Sequence, residues 1–138
     1  MSQIDTFEAM LSRGQDSEML RYTLGNAYYK EKRYPEAAIH LAHAVELKPT
    51  YSTAWKVLGR VLADDGQLDK ALDAFDAGLA AAKTNGDKQV EKEIGVFRKR
   101  VVKQLSATEQ ATEQAAEQAN EQANEQLDEQ PGEQPDDR

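Results

Sequence analysis

The chain has 138 residues, 39% of them hydrophobic, and a formal net charge of −8. That length and composition allow one modest hydrophobic core, so we expect a single folded domain. There is no cysteine, which excludes disulfide bonds and thiolate metal sites and is compatible with a reducing compartment, so we expect a cytoplasmic protein. Neither a secretion signal nor a membrane span is expected, because no basic segment precedes an apolar run at the start and no stretch of about eighteen apolar residues occurs.

The negative charge is concentrated at one end. Residues 106–138 carry ten acidic side chains and one arginine, so residues 1–105 are nearly neutral. Glu-Gln pairs recur every four residues from Glu109 to Glu133, which places glutamates at i and i+4 on a helix, where they repel. We predict a low-complexity acidic tail over 106–138 that is mostly disordered, with transient helix near Leu105. Its simplest role is a solubilising appendage, and the alternative is an acidic pseudo-ligand for the chain's own groove.

Residues 1–105 show the spacing of amphipathic helices. A short capping helix is predicted over about 4–12, with an apolar face formed by Ile4, Phe7, Met10 and Leu11. Asp16 or Ser17 then N-caps a helix that runs to about Glu31. Pro35 fits the first turn of the next helix, which Pro49 ends.

The remaining predicted helices repeat this plan. Ser52 or Thr53 caps a helix that runs to about Asp64, and its partner runs from Leu68 to about Lys83. The last helix is predicted over about 87–105, where it covers the exposed apolar side of the array and presents a polar outer face. The sequence therefore predicts an all-α fold of paired antiparallel helices between two capping helices.

The two helix pairs are copies of one unit. A shift of thirty-four positions superimposes Leu24-Gly25 on Leu58-Gly59, and small residues recur at the same offset at Ala37 and Ala71 and at Ala44 and Gly78. Large side chains recur as well, at Leu41 and Phe75. Helices can pack closely only where one side chain is nearly absent, so this opposition of small and large residues predicts that each pair packs face to face and that the pairs stack.

These residues resemble the tetratricopeptide repeat (TPR), a helix-turn-helix unit of thirty-four residues. Repeat 1, about 18–51, matches through Leu24, Gly25, Tyr28, Ala37, Leu41, Ala44 and Pro49, with Arg21 in place of the early Trp. Repeat 2, about 52–85, matches through Trp55, Leu58, Gly59, Ala71 and Phe75, with Leu62, Gly78 and Lys83 at the Tyr, Ala and Pro positions. A third copy would have Glu93 at the Gly position. The whole is similar to small stand-alone bacterial TPR proteins.

The resemblance implies a short solenoid that binds a peptide or a partner helix without catalysis and without a cofactor. Helical phase predicts the residues that project from the first helix of each pair into the concave groove: Met19, Tyr22, Asn26, Tyr29, Lys30, Thr53, Lys56 and Arg60. Lys56 and Arg60 lie one turn apart and are suited to a carboxylate, so an acidic peptide is among the expected partners. In the alternative interpretation Lys56 and Arg60 are ordinary solvent-exposed charges on a helix surface, and the tyrosines pack on the neighbouring unit. We expect a monomer or a weak homo-oligomer.

Other chemistry is weakly indicated. His40 and His43, three residues apart, are half of a metal site at most and lack a third ligand with matching spacing, so an enzyme or metal protein built on them is the alternative function. No catalytic motif or phosphate-binding Gly-rich loop occurs. The basic cluster of Arg98, Lys99, Arg100 and Lys103 lacks interleaved aromatic residues and accompanies an acidic tail, which argues against nucleic acid. We interpret the cluster as a solvated helix face, with weak binding of the acidic tail as the alternative.

Overall fold

The computed structural model describes residues 2–129 and consists there of six α-helices. Their bounds are α1 (Gln3–Ser12), α2 (Glu18–Lys30), α3 (Tyr34–Leu47), α4 (Ser52–Asp64), α5 (Leu68–Asn85) and α6 (Lys88–Glu129). The chain forms two compact units, Met1–Val102 and Lys103–Arg138. The first unit holds α1 to α5 and the beginning of α6, and the second holds the remainder of α6. No helix in residues 2–129 is both long and apolar enough to cross a membrane.

The first unit is a stack of helix pairs, which confirms the predicted fold class. α2 packs on α3 and α4 packs on α5, α3 joins the two pairs by packing on α4, and α1 covers α2. The largest fully buried side chains come from several of these helices: Leu24, Leu41, Val61, Phe75 and Ile94. The core therefore runs through the whole stack, as expected where no single pair can bury its own apolar face.

Close packing within each pair depends on two glycines. A Cβ atom added at Gly25 would lie 2.5 Å from Cγ of Leu41, and one added at Gly59 would have three carbons of the Phe75 ring within 2.8 Å. Leu41 and Phe75 are both fully buried, so neither can move aside without displacing its neighbours. The small and large residues that recur in the sequence are thus in direct steric contact in both helix pairs.

The turn inside each pair also repeats. Lys32 after α2 and Gly66 after α4, thirty-four residues apart, both have left-handed backbone, with φ of 59° and 80°. Glycine adopts this conformation freely, whereas a lysine there is disfavoured by about 1 kcal/mol. The two repeats therefore have the same turn geometry, although the first has Lys32 where the second has a glycine.

Several helix ends differ from those predicted. The N-cap of α4 is Tyr51, which makes no side-chain cap, and the expected cap Ser52 is instead the first helical residue and is buried. α5 continues two residues beyond the expected Lys83 and stops where Gly86 adopts left-handed backbone, with φ of 68°. Backbone geometry, rather than the nearest capping-type side chain, determines these ends.

The last helix is much longer than predicted. α6 continues to Glu129, whereas the sequence predicts an end near Leu105 and a mostly disordered tail beyond it. No Gly or Pro occurs between Gly95 and Pro131, and Ala, Glu and Gln favour helix, which outweighs the repulsion of about 0.2–0.5 kcal/mol for each glutamate pair at i,i+4. The side chains of 106–126 are all exposed, in agreement with the missing apolar stripe. The rest of the predicted tail, 130–138, lies outside the described residues.

The glycine contacts lead to a test of the fold. We expect Gly59→Ala to lower the free energy of unfolding by about 1–3 kcal/mol, because the new methyl group overlaps the buried Phe75 ring. The matched control is Gly95→Ala in α6, where an added Cβ meets nothing within 4 Å, so that the better helix propensity of alanine should raise stability by about 0.5–1 kcal/mol. Urea unfolding followed by circular dichroism measures both. A midpoint that rises in both variants would contradict the steric account.

Candidate functional site

The predicted groove residues lie on α2 and α4 and differ in exposure. Met19 is 70% exposed and Lys30 is also exposed, so both side chains extend into solvent. The other six are half-buried: Tyr22, Asn26, Tyr29, Thr53, Lys56 and Arg60. Residues that are partly covered yet still open to solvent have fixed side chains and an accessible surface, which a binding site requires.

Arg60 is the centre of this surface. Its guanidinium lies 4.6 Å from the ring centre of Phe97 on α6 and 5.7 Å from that of Tyr29 on α2. The Phe97 ring stacks in turn on the buried ring of Phe75, 6.4 Å away, which anchors it to the core. Within the described residues Arg60 has no ion pair, so rings hold its planar head while its N–H donors remain available.

Tyr29 connects the first helices of the two repeats. Its hydroxyl donates a hydrogen bond of 2.5 Å to Asp64 at the end of α4. Burial, together with that bond to a carboxylate, raises the pKa of Tyr29 to about 12, so the phenol stays neutral at physiological pH. Tyr29 thus fixes the distance between α2 and α4 beside Arg60.

Lys56, one turn before Arg60, already holds a carboxylate. Its ammonium donates to Glu93 of α6 at 2.5 Å. Hydrogen bonds from Lys56 first and Gln89 second lower the pKa of Glu93. The two cations that the sequence pattern does not distinguish therefore differ, because Lys56 has a carboxylate partner and Arg60 has none among the described residues.

Sequence reasoning missed the contribution of α6 to this site. Glu93 and Phe97 lie on the predicted capping helix and were not expected in the groove. The repeat period contains a signal for Phe97, which lies two periods of thirty-four residues after Tyr29, but none for Glu93, which corresponds to Gly25 and Gly59 on the side that faces the second helix. We call the surface formed by all three helices the groove face, and its members are Tyr22, Asn26, Tyr29, Lys56, Arg60, Glu93 and Phe97.

Tyr22 has a partial structural role. Its ring lies 5.2 Å from that of Tyr51 in the connection between α3 and α4, and the Lys48 ammonium lies 5.4 Å from the Tyr51 ring centre. Tyr22 therefore packs against the connection that leads to the second repeat, while part of its ring remains open. Asn26, one turn further along α2, makes no side-chain hydrogen bond within residues 2–126 and leaves its amide available.

The two histidines have separate partners. Nδ1 of His40 accepts from Arg21 at 3.1 Å, since a guanidinium only donates, and Nε2 therefore carries the proton and lies 3.2 Å from Glu8. His43 is exposed, with its Nδ1 3.7 Å from Glu46. In the described part of the chain no three side chains of His, Asp or Glu are grouped as metal ligands. Both ring nitrogens of His40 therefore already have partners within the chain.

His40 belongs to a polar network between the first three helices. The Tyr28 hydroxyl donates to the same Glu8 oxygen at 2.7 Å, and the Tyr28 ring stacks on the imidazole at 5.4 Å. Arg21 also binds Asp16 through two hydrogen bonds, of 2.8 and 3.1 Å. The network attaches the capping helix α1, which carries Glu8, to the first repeat.

Comparison with known proteins agrees with the fold. The family model of the tetratricopeptide repeat matches residues 4–52 and 22–86, more than half of the chain. The chain therefore belongs to the TPR family.

Its relatives are small bacterial TPR proteins. The chain is 43% identical over 98 residues to a TPR repeat-containing protein of Pseudomonas aeruginosa, a match covering 71% of this chain and 93% of that one. A solution structure of a Bordetella parapertussis protein is 41% identical, with a TM-score of 0.66 over 75% of this chain and 90% of that one. A TPR domain crystal structure from Salinibacter ruber, 21% identical with a TM-score of 0.58, covers 62% of this chain and 96% of that domain and shows the fold alone.

The His40 network predicts a pH dependence of stability. Burial, followed by the adjacent Arg21 charge, lowers the pKa of His40 below its ordinary 6.5 in spite of Glu8. As the pH falls through about 6.5, the unfolded chain binds a proton before the folded chain does, so the free energy of unfolding falls, by at most about 1.4 kcal/mol per pH unit. Above about pH 7.5 the contribution is constant.

Urea unfolding at a series of pH values between about 8 and 5.5 measures this slope. His40→Gln should flatten it, whereas the control His43→Gln, at an exposed position, should retain it. An unchanged slope in His40→Gln would show that another group is responsible.

Proposed function

We propose that this TPR protein is a non-catalytic interaction module whose groove face binds a peptide or partner helix carrying a carboxylate next to an apolar residue. TPR proteins in general are interaction modules of this kind, and the proposal adds the face and the chemistry. The observation that carries it is Arg60, which two aromatic rings hold in place and which has no carboxylate partner within the described residues.

A guanidinium in this setting suits a carboxylate ligand. Its planar fork of N–H donors matches the two carboxylate oxygens, and such charge-assisted hydrogen bonds are stronger than neutral ones. The rings of Tyr29 and Phe97 already restrict the Arg60 side chain, so less conformational entropy remains to be lost on binding. The same rings exclude water from one side of the ion pair, which strengthens it.

The rest of the groove face supplies contacts of other kinds. Tyr22 and Tyr29 present flat apolar surface with a polar edge, which is typical of residues that bind peptides. The Asn26 amide between them can both donate to and accept from a peptide backbone. The Lys56–Glu93 pair borders Arg60 and presents a fixed acid beside the cation, which favours ligands that carry one carboxylate there over ligands with a dense run of them.

The proposed cellular location is based on amino-acid composition alone. A chain without cysteine is compatible with a reducing compartment, and we propose that it acts in the cytoplasm. The enzyme or metal alternative at His40 and His43 has no supporting observation, since His40 has both nitrogens occupied and His43 lies beside a single glutamate.

The test begins with peptides selected from a random display library on the folded full chain. We expect the selected peptides to be enriched in Asp or Glu next to aromatic or aliphatic residues. Arg60→Gln should weaken their binding by about 10- to 100-fold, as expected for the loss of a charged hydrogen-bonded pair worth roughly 1.5–3 kcal/mol. Fluorescence anisotropy measures the dissociation constants.

Two variants make this result specific. Lys70→Gln, at an exposed position on α5, removes one positive charge away from the groove face and should leave affinity unchanged. Arg60→Lys keeps the charge but loses the planar stacked fork, so its affinity should fall between those of wild type and Arg60→Gln. Equal affinity of Arg60→Gln and wild type, with unfolding midpoints unchanged, would exclude the groove face as the site.

The tail-autoinhibited alternative is tested in the same assay. In a full-length variant with glutamine at 109, 113, 117, 121 and 125, autoinhibition predicts tighter peptide binding, because an acidic competitor is removed. If the tail does not occupy the groove face, the dissociation constant of the peptide should stay nearly unchanged. Only the long-range repulsion between the acidic tail and an acidic peptide is lost, and about 0.15 M salt largely screens that repulsion. The ratio of the two dissociation constants decides between the mechanisms.

A further inference from the structure

Two arginines of the basic cluster on α6 make different contacts. Arg98 binds Asp76 of α5 through a hydrogen-bonded ion pair of 2.7 Å. The guanidinium of Arg100 lies instead 5.5 Å from the centre of the Phe97 ring, and its side chain is exposed. Arg100 has no carboxylate partner among the described residues. The charge of Arg98 is therefore paired, whereas that of Arg100 is held against an aromatic ring.

A second arginine lies against the same ring. The guanidinium of Arg60 on α4 is 4.6 Å from the Phe97 ring centre, so one ring holds guanidinium groups from two helices. Because both distances are measured to the same ring centre, the two positive groups are close neighbours. The ring itself stacks on the fully buried Phe75, which fixes it to the core.

Two carboxylates on the same two helices are engaged by other groups. Glu93 of α6 accepts a hydrogen bond from Lys56, and Asp64 of α4 accepts one from the Tyr29 hydroxyl. The two arginines on the ring therefore lie close together without a carboxylate partner among the described residues. Like charges at short range repel each other, so an anion that contacts both arginines is attracted by each of them and also offsets their mutual repulsion.

A phosphate monoester suits such a pair of arginines better than a carboxylate does. It carries a charge of about −1.5 to −2 at pH 7 and three acceptor oxygens, so it can accept hydrogen bonds from two guanidinium groups at once. A carboxylate has one charge and two oxygens, which a single guanidinium fork already satisfies. Because Arg100 is exposed, its long side chain can turn toward a ligand that is bound at Arg60.

We propose that Arg60 and Arg100 together bind the phosphate group of a phosphorylated side chain in the peptide partner. This inference rests on the proposed function, because it adds the chemical nature of the ligand to the same groove face. Arg60 supplies the fixed, half-buried fork, and Arg100 supplies the second cation from the exposed edge of the ring. A carboxylate at this place occupies Arg60 alone and binds more weakly. Phosphorylation of the partner therefore strengthens its binding.

Peptide libraries passed over the immobilised full chain test this proposal. The libraries have phosphoserine, glutamate or serine at a central position and random residues elsewhere, and the retained peptides are then synthesised in all three forms. We expect the phosphoserine form to bind about 10-fold more tightly than the glutamate form, as expected for one further charged hydrogen bond, and the serine form to bind least. Fluorescence anisotropy measures the dissociation constants. Equal dissociation constants for the phosphoserine and glutamate forms would overturn the proposal.

Three variants assign the preference to the two arginines. Arg100→Gln should remove the preference for phosphoserine and leave the binding of the glutamate form unchanged, whereas Arg60→Gln should weaken both forms. Lys99→Gln is the matched control, because it removes one positive charge from the adjacent exposed position of the same helix and should retain the full preference. A preference that survives in Arg100→Gln would overturn the proposal, and so would an equal loss in Lys99→Gln. Circular dichroism checks that all three variants are folded.

The outcomes distinguish this inference from the proposed function. If the glutamate form binds through Arg60 and the phosphoserine form binds no better, the groove face still binds carboxylates and only the phosphate assignment is wrong. If neither form depends on Arg60, both proposals are wrong.

Further comparisons identify the source of the phosphate. Inorganic phosphate should compete only weakly with the phosphopeptide, because it lacks the contacts of the flanking residues with the groove face. Competition at the concentration at which the phosphopeptide itself binds would show that free phosphate is the ligand and would overturn the assignment to a peptide. A single-stranded oligonucleotide that bound more tightly than every phosphopeptide would overturn it as well.

Discussion

The structure depends on the absence of a side chain at two positions. Gly25 and Gly59 let the first helix of each pair approach so closely that Leu41 and Phe75 take the place of a Cβ atom. This contact fixes the distance within each pair, and the pairs can then bury a common core that neither could form alone. It also determines the groove face, because side chains on the opposite side of α2 and α4 must point away from the second helices.

One further period of thirty-four residues after Gly59, on α6, the chain has a large side chain in place of glycine. Glu93 on α6 corresponds to the two glycines, and its carboxylate binds Lys56 of α4 instead of facing a further helix. Phe97 on the same helix corresponds to Tyr29 and stacks on Arg60. The beginning of α6 thus covers the core of the stack and also lines the candidate site.

Electrostatics divides the chain into parts with different roles. At the N-terminal end a partly buried network around His40 attaches the capping helix α1 to the first repeat through hydrogen bonds to Glu8. Along α6 most charged side chains of the described part are exposed, mainly basic in 88–103 and acidic in 106–126, and exposed charges of this kind contribute little to folding.

By itself the sequence determined the helix pairs, the repeat length and the family, because the small and large residues that oppose each other recur at a constant interval that can be read along the chain. It also predicted that Arg60 and Tyr29 project from the same side of their helices, since helical phase is a local property, and the two side chains do lie against each other. Only the tertiary structure decided which of the two cations has a carboxylate partner, because Lys56 on α4 meets Glu93 on α6, 37 residues further along the chain. The extent of α6 depended on a balance between helix propensity and glutamate repulsion, in which each contribution is too small for pattern alone to settle.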